Sequence, residues 1–303
     1  LRFNREAPAL LAADGSEIAL GDYLEQGGYT RNFVERYIIP MGAAIWSTDP
    51  LAMRGFPARF FVRFLHNHGM LSVNERPQWR VICGGSASYV EKLTAGFHDR
   101  IRLNTPVQSV QRLPGGVRVK AAGCEAERYD AVFLACHSDQ ALAMLADASP
   151  DEREVLGAIA YQPNEAVLHT DASLMPRRRL AWAAWNYHLA DSDGPPRAAL
   201  TYNMNILQSL QSREPFLVSL NCGERVDPAR IIKRIQYDHP LFTPASVAAQ
   251  ARQGEINGPL ATYFCGAYWR NGFHEDGVVS ALAALDHFRQ RQGDAQRALS
   301  RAA

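Results

Sequence analysis

The chain has 303 residues, of which 47% are hydrophobic and 21% are charged, a balance typical of a globular protein rather than a disordered one. A net charge of +1 gives no global field that would attract nucleic acid, so any anion-binding site must be local. The apolar runs end well short of the roughly 20 residues that span a bilayer, and the first residues do not resemble a signal peptide.

The five cysteines are odd in number and form no C-x-x-C motif, which argues against a disulfide framework or a structural zinc site. His66 and His68 do not face each other on a helix, so we predict no metal site there. Free thiols are typical of a reducing compartment, and we therefore expect a cytoplasmic protein.

The first part of the chain predicts helices. Residues 21–50 have helical periodicity, with Thr30 or Asn32 as a candidate N-cap and Pro40 as a residue that should end or kink the helix. A second helix, rich in aromatic residues, follows it. Residues 1–76 are therefore expected to form one helical segment of the protein.

The pattern changes at residue 77. PQWRVIC predicts a strand, which a Gly-Gly turn joins to a helix that begins near Ser86 or Ser88. Residues 107–123 predict a hairpin with a Pro-Gly-Gly turn. YDAVFLAC (129–136) is a continuous apolar run, which predicts a parallel strand buried on both faces, and Ser138 or Asp139 should cap the helix after it.

Residues 160–222 contain four strand-like runs, which predict an antiparallel sheet with a turn at DSDGPP (191–196). Residues 227–242 are interpreted as a helix that Pro240 ends. The tail from 291 to 303 is polar and predicts a frayed helix.

The stretch YFCGAYWRNGFHEDGVVSALAAL (263–285) predicts a strand that ends at Gly266-Ala267 and a helix that starts near Gly277. Small residues at a strand end let a ligand approach the backbone, and the N-terminus of a helix favours a phosphate or an electron-rich carbonyl. Glu275 and Asp276 are interpreted as capping residues rather than metal ligands, because adjacent side chains do not converge on one point.

Aromatic residues in the β-rich middle and in this loop have two interpretations, packing in a core or lining a pocket for a planar cofactor. They are Trp182, Trp185, Tyr187, Tyr202, Tyr268 and Trp269.

The motifs GGSASYVEKL, TPVQSVQRLPGGVRV, YDAVFLAC and YFCGAYWRNGFHEDGVVSAL, in this order, resemble the flavin-containing amine oxidoreductase superfamily over about residues 18–287. The details resemble most a bacterial subgroup described as predicted NAD/FAD-binding proteins. The resemblance implies a mixed α/β fold, in which the remainder of a Rossmann-like FAD-binding domain is interleaved with a substrate domain of helices and an antiparallel sheet. The FAD-domain parts would be 77–150 and 255–290, and the substrate-domain parts 1–76 and 151–254, before the tail at 291–303.

The resemblance also implies FAD as cofactor and assigns roles to individual positions. Val107 would contact the adenine, Ala135 and Cys136 would lie near the pyrophosphate, and Gly266 and Ala267 would lie by the ribityl and pyrophosphate groups. The backbone of Glu275, Asp276, Gly277 and Val278 would face the flavin ring. His274 would shape the substrate side of the ring. We name no catalytic base, since hydride transfer to flavin need not use one.

The sequence departs from the family at one place, because no G-x-G-x-x-G fingerprint occurs in it. We therefore expect a form that lacks its N-terminal dinucleotide-binding unit, or one that a partner polypeptide completes. The predicted function is hydride transfer from a small organic substrate, which the aromatic middle segment suggests is hydrophobic, to flavin. The alternatives are a non-catalytic ligand- or protein-binding module and a nicotinamide-dependent dehydrogenase.

Overall fold

A computed structural model describes residues 1–12, 17–74, 77–189 and 199–302, so the turn predicted at 191–196 lies outside the described residues. The α-helices are α1 (Arg2–Glu6), α2 (Ala9–Ala12), α3 (Leu20–Gln26), α4 (Arg31–Phe33), α5 (Ile39–Trp46), α6 (Pro50–Arg54), α7 (Ala58–Asn67), α8 (Ala87–Thr94), α9 (Ser138–Met144), α10 (Pro150–Gly157), α11 (Met204–Leu207), α12 (Pro244–Gln250), α13 (Gln253–Ile256) and α14 (His274–Ala302). The strands are β1 (Val107–Leu113), β2 (Gly116–Ala121), β3 (Glu127–Tyr129), β4 (Val132–Leu134), β5 (Tyr161–His169), β6 (Trp185–Tyr187), β7 (Leu200–Asn203), β8 (Leu217–Leu220), β9 (Ile231–Pro240) and β10 (Thr262–Phe264). The mixed α/β class is therefore confirmed.

These elements form two compact units, each made of two separate parts of the chain. Unit 1 comprises residues 1–100 and 162–239, and unit 2 comprises residues 101–161 and 240–303. The functional roles predicted for the domains stay predictions.

Unit 1 contains the early helices and a five-stranded sheet in the order β6-β7-β8-β5-β9. The pairs β5–β8, β6–β7 and β7–β8 are antiparallel, which confirms the predicted antiparallel sheet.

The helical part of unit 1 packs around Trp46, whose ring lies 4.6 Å from that of Phe56 and 4.8 Å from that of Phe64. Each of these three residues is at most 5% exposed, so aromatic burial stabilises this part of unit 1.

The first predicted helix is interrupted in a way that its proline explains. Thr30 caps α4 by accepting a hydrogen bond from the N–H of Phe33 at 3.4 Å, as predicted. A π-helical turn at Val34–Ile38 then precedes α5, in which Pro40 occupies the first turn. Because proline has no N–H to donate, it is tolerated at the start of a helical segment.

Unit 2 contains an antiparallel sheet, β1-β2-β3, and a parallel pair, β4 and β10. The predicted hairpin is confirmed, with Val110 opposite Val119. The parallel strand predicted at 129–136 is also confirmed, as β4. The prediction that this strand is buried on both faces is wrong, because Phe133 is 40% exposed.

Three other predictions about local structure were wrong. Residues 231–240 form a strand rather than a helix, because β9 pairs with β5 at the edge of the sheet and the β-branched Ile231, Ile232 and Ile235 suit that state. Residues 77–83 form no strand, and no strand among the described residues pairs with them. The N-cap of α9 is His137 rather than Ser138 or Asp139.

Candidate functional site

The carboxyl ends of two parallel strands meet in unit 2. Leu134 of β4 lies opposite Phe264 of β10, and the N–H of Cys265 donates to the carbonyl oxygen of Leu134 at 3.1 Å. Cys136 and Gly266 therefore follow neighbouring strands at the same edge. In open α/β sheets this is the edge at which ligands bind, so these strand ends define the candidate site.

The two outer edges of this strand pair differ. Asn257 satisfies the edge of β10, because its Oδ1 accepts the N–H of Phe264 at 2.6 Å and its Nδ2 donates to the Phe264 carbonyl at 3.3 Å. Gly258 donates its N–H to the carbonyl of Thr262 at 2.9 Å. The other edge of β4 has no paired strand among the residues that the structure covers. The sheet is therefore closed beside β10 and open beside β4.

The backbone turn after β10 requires glycine for steric reasons. A Cβ atom on Gly266 would lie 2.5 Å from Cε1 of Tyr268, closer than carbon atoms can approach. The same position lies 3.5 Å from the carbonyl oxygen of Cys136. Gly266 thus lets the ends of β4 and β10 and the ring of Tyr268 approach one another closely.

The first turn of α14 faces this turn. A Cβ atom on Gly277 would lie 4.0 Å from the backbone nitrogen of Ala267, so a larger side chain at position 277 would cover that amide. The helix α14 begins at His274, and the N-terminus of a helix carries a partial positive charge. The turn and the first turn of α14 therefore approach one another to van der Waals distance, and we call the spacing between these two backbone segments the gap.

Asp276 stabilises the start of α14. Its Oδ2 accepts the N–H of Phe273 at 3.0 Å, and its Oδ1 lies 3.7 Å from Nε of Arg270. The residue is 7% exposed. This geometry is one half of a capping box, which supports the interpretation of Asp276 as a capping residue.

Polar groups below the turn are buried without partners. Tyr268 and Trp269 are 3% and 4% exposed, and neither the phenol oxygen nor the indole nitrogen has a hydrogen-bond partner among the described residues. His137, whose ring stacks on Tyr161 at 4.3 Å, has an Nδ1 that makes no hydrogen bond and lies 3.9 Å from Oδ1 of Asp139. Because native proteins pair nearly all buried polar atoms, an ordered water or a polar ligand would complete this cluster.

Burial governs the ionisation of the groups around this cluster. It raises the pKa of Tyr161 to about 12, and it raises the pKa of Tyr268 further. The indole N–H of Trp269 opposes this shift of the Tyr268 pKa, although the two groups do not reach hydrogen-bonding geometry. Burial also raises the pKa of the thiols of Cys136 and Cys265. At neutral pH these side chains are therefore uncharged.

The structure brings together some of the predicted site residues. Cys136, Gly266, Ala267 and Gly277 surround the gap between the strand ends and α14. Ala135 is exposed directly after β4, and His274, Glu275 and Val278 are exposed in the first turns of α14. Val107 opens β1 opposite Ala121, in a different sheet from β4 and β10.

Sequence reasoning missed two residues that shape this site, Ser280 and Asn257. Ser280 is 2% exposed, and its Oγ accepts the N–H of Gly266 at 2.8 Å. The only signal was a serine within the apolar run VVSALAAL. Asn257, which satisfies β10, had no signal beyond the glycine that follows it.

Two properties of the described residues bear on the kind of site. No three His, Cys, Asp or Glu side chains among them converge as metal ligands would. No helix in the described part of the chain is both long and apolar enough to cross a membrane.

The strand-end glycine, the helix that faces it and the interleaved antiparallel sheet define the fold class of FAD-dependent oxidases, and solved structures agree. Cyclohexylamine oxidase from Brevibacterium oxydans IH-35A matches with a TM-score of 0.64 at 12% identity, over 96% of this chain and 74% of that chain. Putrescine oxidase bound to putrescine matches with a TM-score of 0.63 at 13% identity, over 95% and 74%. A CLA-producing fatty acid isomerase from P. acnes matches with a TM-score of 0.60 at 13% identity, over 91% and 71%. At such identities these similarities show the fold alone.

The family itself is shown by sequence. The model of the flavin-containing amine oxidoreductases matches residues 24–179, just over half of the chain. The chain therefore belongs to the flavin-containing amine oxidoreductase family, and the predicted cofactor, FAD, is confirmed as the cofactor of that family. A comparison with curated protein sequences gives no match.

The residues present fit part of FAD. Gly266, Ala267 and Gly277 are half-buried, so a ligand can approach the backbone at these strand ends, and the buried cluster beside them has unsatisfied polar atoms. The phosphate-binding glycine loop of a dinucleotide site is absent from the 303 residues. The residues present therefore fit only part of FAD and do not include the phosphate-binding loop.

Proposed function

We propose that this chain is an FAD-dependent oxidoreductase that takes a hydride from an organic substrate. The observation that carries the proposal is the placement of Gly266, at the end of β10, against Gly277 in the first turn of α14. FAD supplies a two-electron acceptor when it is bound, and the protein supplies position, electrostatics and exclusion of water.

The residues of the chain have distinct parts in this proposal. Gly266 and Gly277 keep the gap open, because a side chain at either position would enter it or displace Tyr268. The N-terminus of α14 stabilises an electron-rich group that faces it. His274, exposed at the first position of α14, borders the substrate side. The assignments of Val107, Ala135, Cys136, Ala267, Glu275, Asp276 and Val278 to cofactor contacts remain proposals.

We further propose that a polypeptide segment outside residues 1–303 completes the cofactor site. The open edge of β4 and the exposed ring of Phe133 support this, because a parallel sheet of two three-residue strands is too small to be stable alone. Such a segment would add a strand beside β4 and supply the phosphate-binding loop.

The first test is a titration of the purified chain with FAD, followed by flavin absorbance and fluorescence. We expect saturable binding that a Gly277→Val substitution weakens at least tenfold, since valine would cover the Ala267 amide. A Gly96→Val variant is the control, because nothing lies within 4 Å of a Cβ atom at that position. No FAD binding up to millimolar concentration would overturn the proposal for this chain.

The substrate class is the second question. The aromatic pair Trp185 and Tyr202 on the antiparallel sheet supports a hydrophobic substrate, because Trp185 is 37% exposed. The structural neighbours include two amine oxidases and a fatty acid isomerase. We expect bleaching of the bound flavin, under anaerobic conditions, by an apolar primary amine but not by a short-chain alcohol. Bleaching by neither an amine nor an unsaturated fatty acid would contradict an oxidoreductase that acts on hydrophobic substrates.

A second candidate function is a non-catalytic protein-binding module. Exposed apolar side chains favour it, since Phe133, Val278 and Leu282 of unit 2 are each at least 40% exposed. Replacement of Val278 and Leu282 with Gln should abolish binding of a protein partner under this candidate. Retention of FAD by the chain together with flavin reduction by a substrate would contradict it.

A further inference from the structure

One buried hydroxyl connects the strand-end turn to the helix that faces it. The Oγ atom of Ser280 accepts the N–H of Gly266 at 2.8 Å and donates its own proton to the carbonyl oxygen of Gly277 at 2.9 Å. We call these two hydrogen bonds the Ser280 bridge. A serine in a helix often donates to the carbonyl three residues before it. The bond from Gly266 is different, because it joins elements 14 residues apart.

The Ser280 bridge controls the two backbone segments that border the gap. Gly277 and Ser280 are three residues apart in α14 and therefore lie on the same face of the helix. That face meets the turn, where the backbone nitrogen of Ala267 lies 4.0 Å from the Cβ position of Gly277. The width of the gap thus depends on the position of one hydroxyl oxygen.

The bridge also decides which amide of the turn is free for a ligand. The N–H of Gly266 already donates a hydrogen bond to Ser280, so it cannot donate to a bound group. Without the hydroxyl, this N–H would lose its partner at a site where only 2% of Ser280 is exposed, and an unpaired buried donor is destabilising. The turn would then relax toward another acceptor, and the gap would change shape.

We propose that Ser280 is a positioning residue for the cofactor, because it sets the gap between the Gly266–Ala267 turn and α14. This inference rests on the proposed function, since it requires that FAD binds at these strand ends. Ser280 itself does not contact the cofactor. It acts through the backbone of Gly266 and Gly277.

The test compares two buried serines of unit 2 that have the same kind of hydrogen bonds. Ser246 is 1% exposed, accepts the N–H of Thr243 at 2.8 Å and donates to the carbonyl of Leu241 at 3.0 Å, in α12. Ser280→Ala and Ser246→Ala should therefore lower the thermal midpoint by similar amounts. We expect Ser280→Ala alone to raise the Kd for FAD at least tenfold, with less than a threefold change in Ser246→Ala.

Amide hydrogen exchange supplies a second measurement that needs no cofactor. Exchange at the amide of Gly266 should accelerate at least tenfold in Ser280→Ala, should stay slow in Ser246→Ala and should recover in Ser280→Thr, which keeps the hydroxyl. An unchanged FAD Kd in Ser280→Ala, while the native chain binds FAD, would overturn the positioning role alone. Absence of FAD binding by the native chain would overturn the proposed function, and the inference with it.

Discussion

The guanidinium of Arg112 forms an ion pair with the carboxylate of Glu152 inside unit 2, where 3% of each side chain is exposed. Asp147 joins them, since its Oδ1 accepts from Nη1 of Arg112 at 2.9 Å and its Oδ2 accepts the Arg112 N–H at 3.0 Å. Glu152 also accepts the N–H of Ser149 at 2.7 Å, in the capping box of α10. This network therefore fixes β1 against the loop before α10.

Replacement of Arg112 with Leu should destabilise unit 2 by about 3–5 kcal/mol, because it leaves a buried carboxylate without its cation. Urea unfolding followed by circular dichroism measures the effect. The matched control is Glu154→Gln, which breaks the exposed ion pair with Arg252 and should destabilise the protein far less, because solvent screens that pair. Equal losses in the two variants would contradict the distinction between buried and exposed pairs.

Both ring nitrogens of His169, in unit 1, form hydrogen bonds. Nδ1 accepts the N–H of Asp171 at 3.1 Å, so Nε2 carries the proton and donates to Oγ of Ser219 at 2.8 Å. The ring is 0% exposed, and burial lowers the pKa of His169 although the carboxylate of Asp171 opposes that shift. The native state therefore holds His169 neutral.

This lowered pKa predicts the direction of a pH effect. The unfolded chain binds a proton at His169 near pH 6.5, before the native state does, so the stabilising contribution is complete above pH 6.5 and is lost as the pH falls below it. The free energy of unfolding should fall by up to about 1.4 kcal/mol per pH unit from this group. His169→Gln should reduce the slope, with the remainder due in part to His188, whose pKa burial also lowers, whereas His66→Gln, at an exposed position, should leave the slope unchanged. Unfolding curves of the native chain and of both variants, measured between pH 7 and 5, test this prediction.

A Gly266→Ala substitution should be disruptive because its methyl group would overlap the ring of Tyr268. Overpacking of this kind costs about 1–3 kcal/mol. Gly96→Ala is the control, since no atom lies within 4 Å of that Cβ position. Thermal unfolding should show a lower midpoint for Gly266→Ala and a nearly unchanged one for Gly96→Ala. A tolerated Gly266→Ala would mean that the turn has room for a side chain.

Asp276 and Glu275 should differ in their effect on α14 although they are neighbours. Asp276→Ala removes the acceptor of the Phe273 N–H and a negative charge from the helix N-terminus, at a cost of about 0.5–2 kcal/mol. Glu275→Ala, at an exposed position, should change stability by less than about 0.5 kcal/mol. Chemical unfolding of both variants tests the difference, and a larger loss in Glu275→Ala would refute the capping role.

The sequence predicted local structure best where one short motif suffices. Thr30 was one of two predicted candidates for the N-cap, with Asn32, because a capping side chain needs only the backbone three residues ahead. The hairpin at 107–123 followed from its turn residues, and the parallel strand at β4 followed from an unbroken apolar run. Residues 231–240 were predicted wrongly, because the paired strand β5 lies about 70 residues away along the chain and overrides local helical periodicity.

The same division applies to the candidate site. By itself the sequence determined the family and the cofactor of that family. It also predicted the strand end at Gly266 and the helix start near Gly277, because a strand end and a helix start have local signatures. Only the tertiary structure decided that Ser280 joins them, that Asn257 closes one edge of the strand pair and that the other edge is open. The physical reason is that hydrogen bonds between distant backbone groups leave no periodicity in the chain, so they become visible only when folding brings their donors and acceptors together.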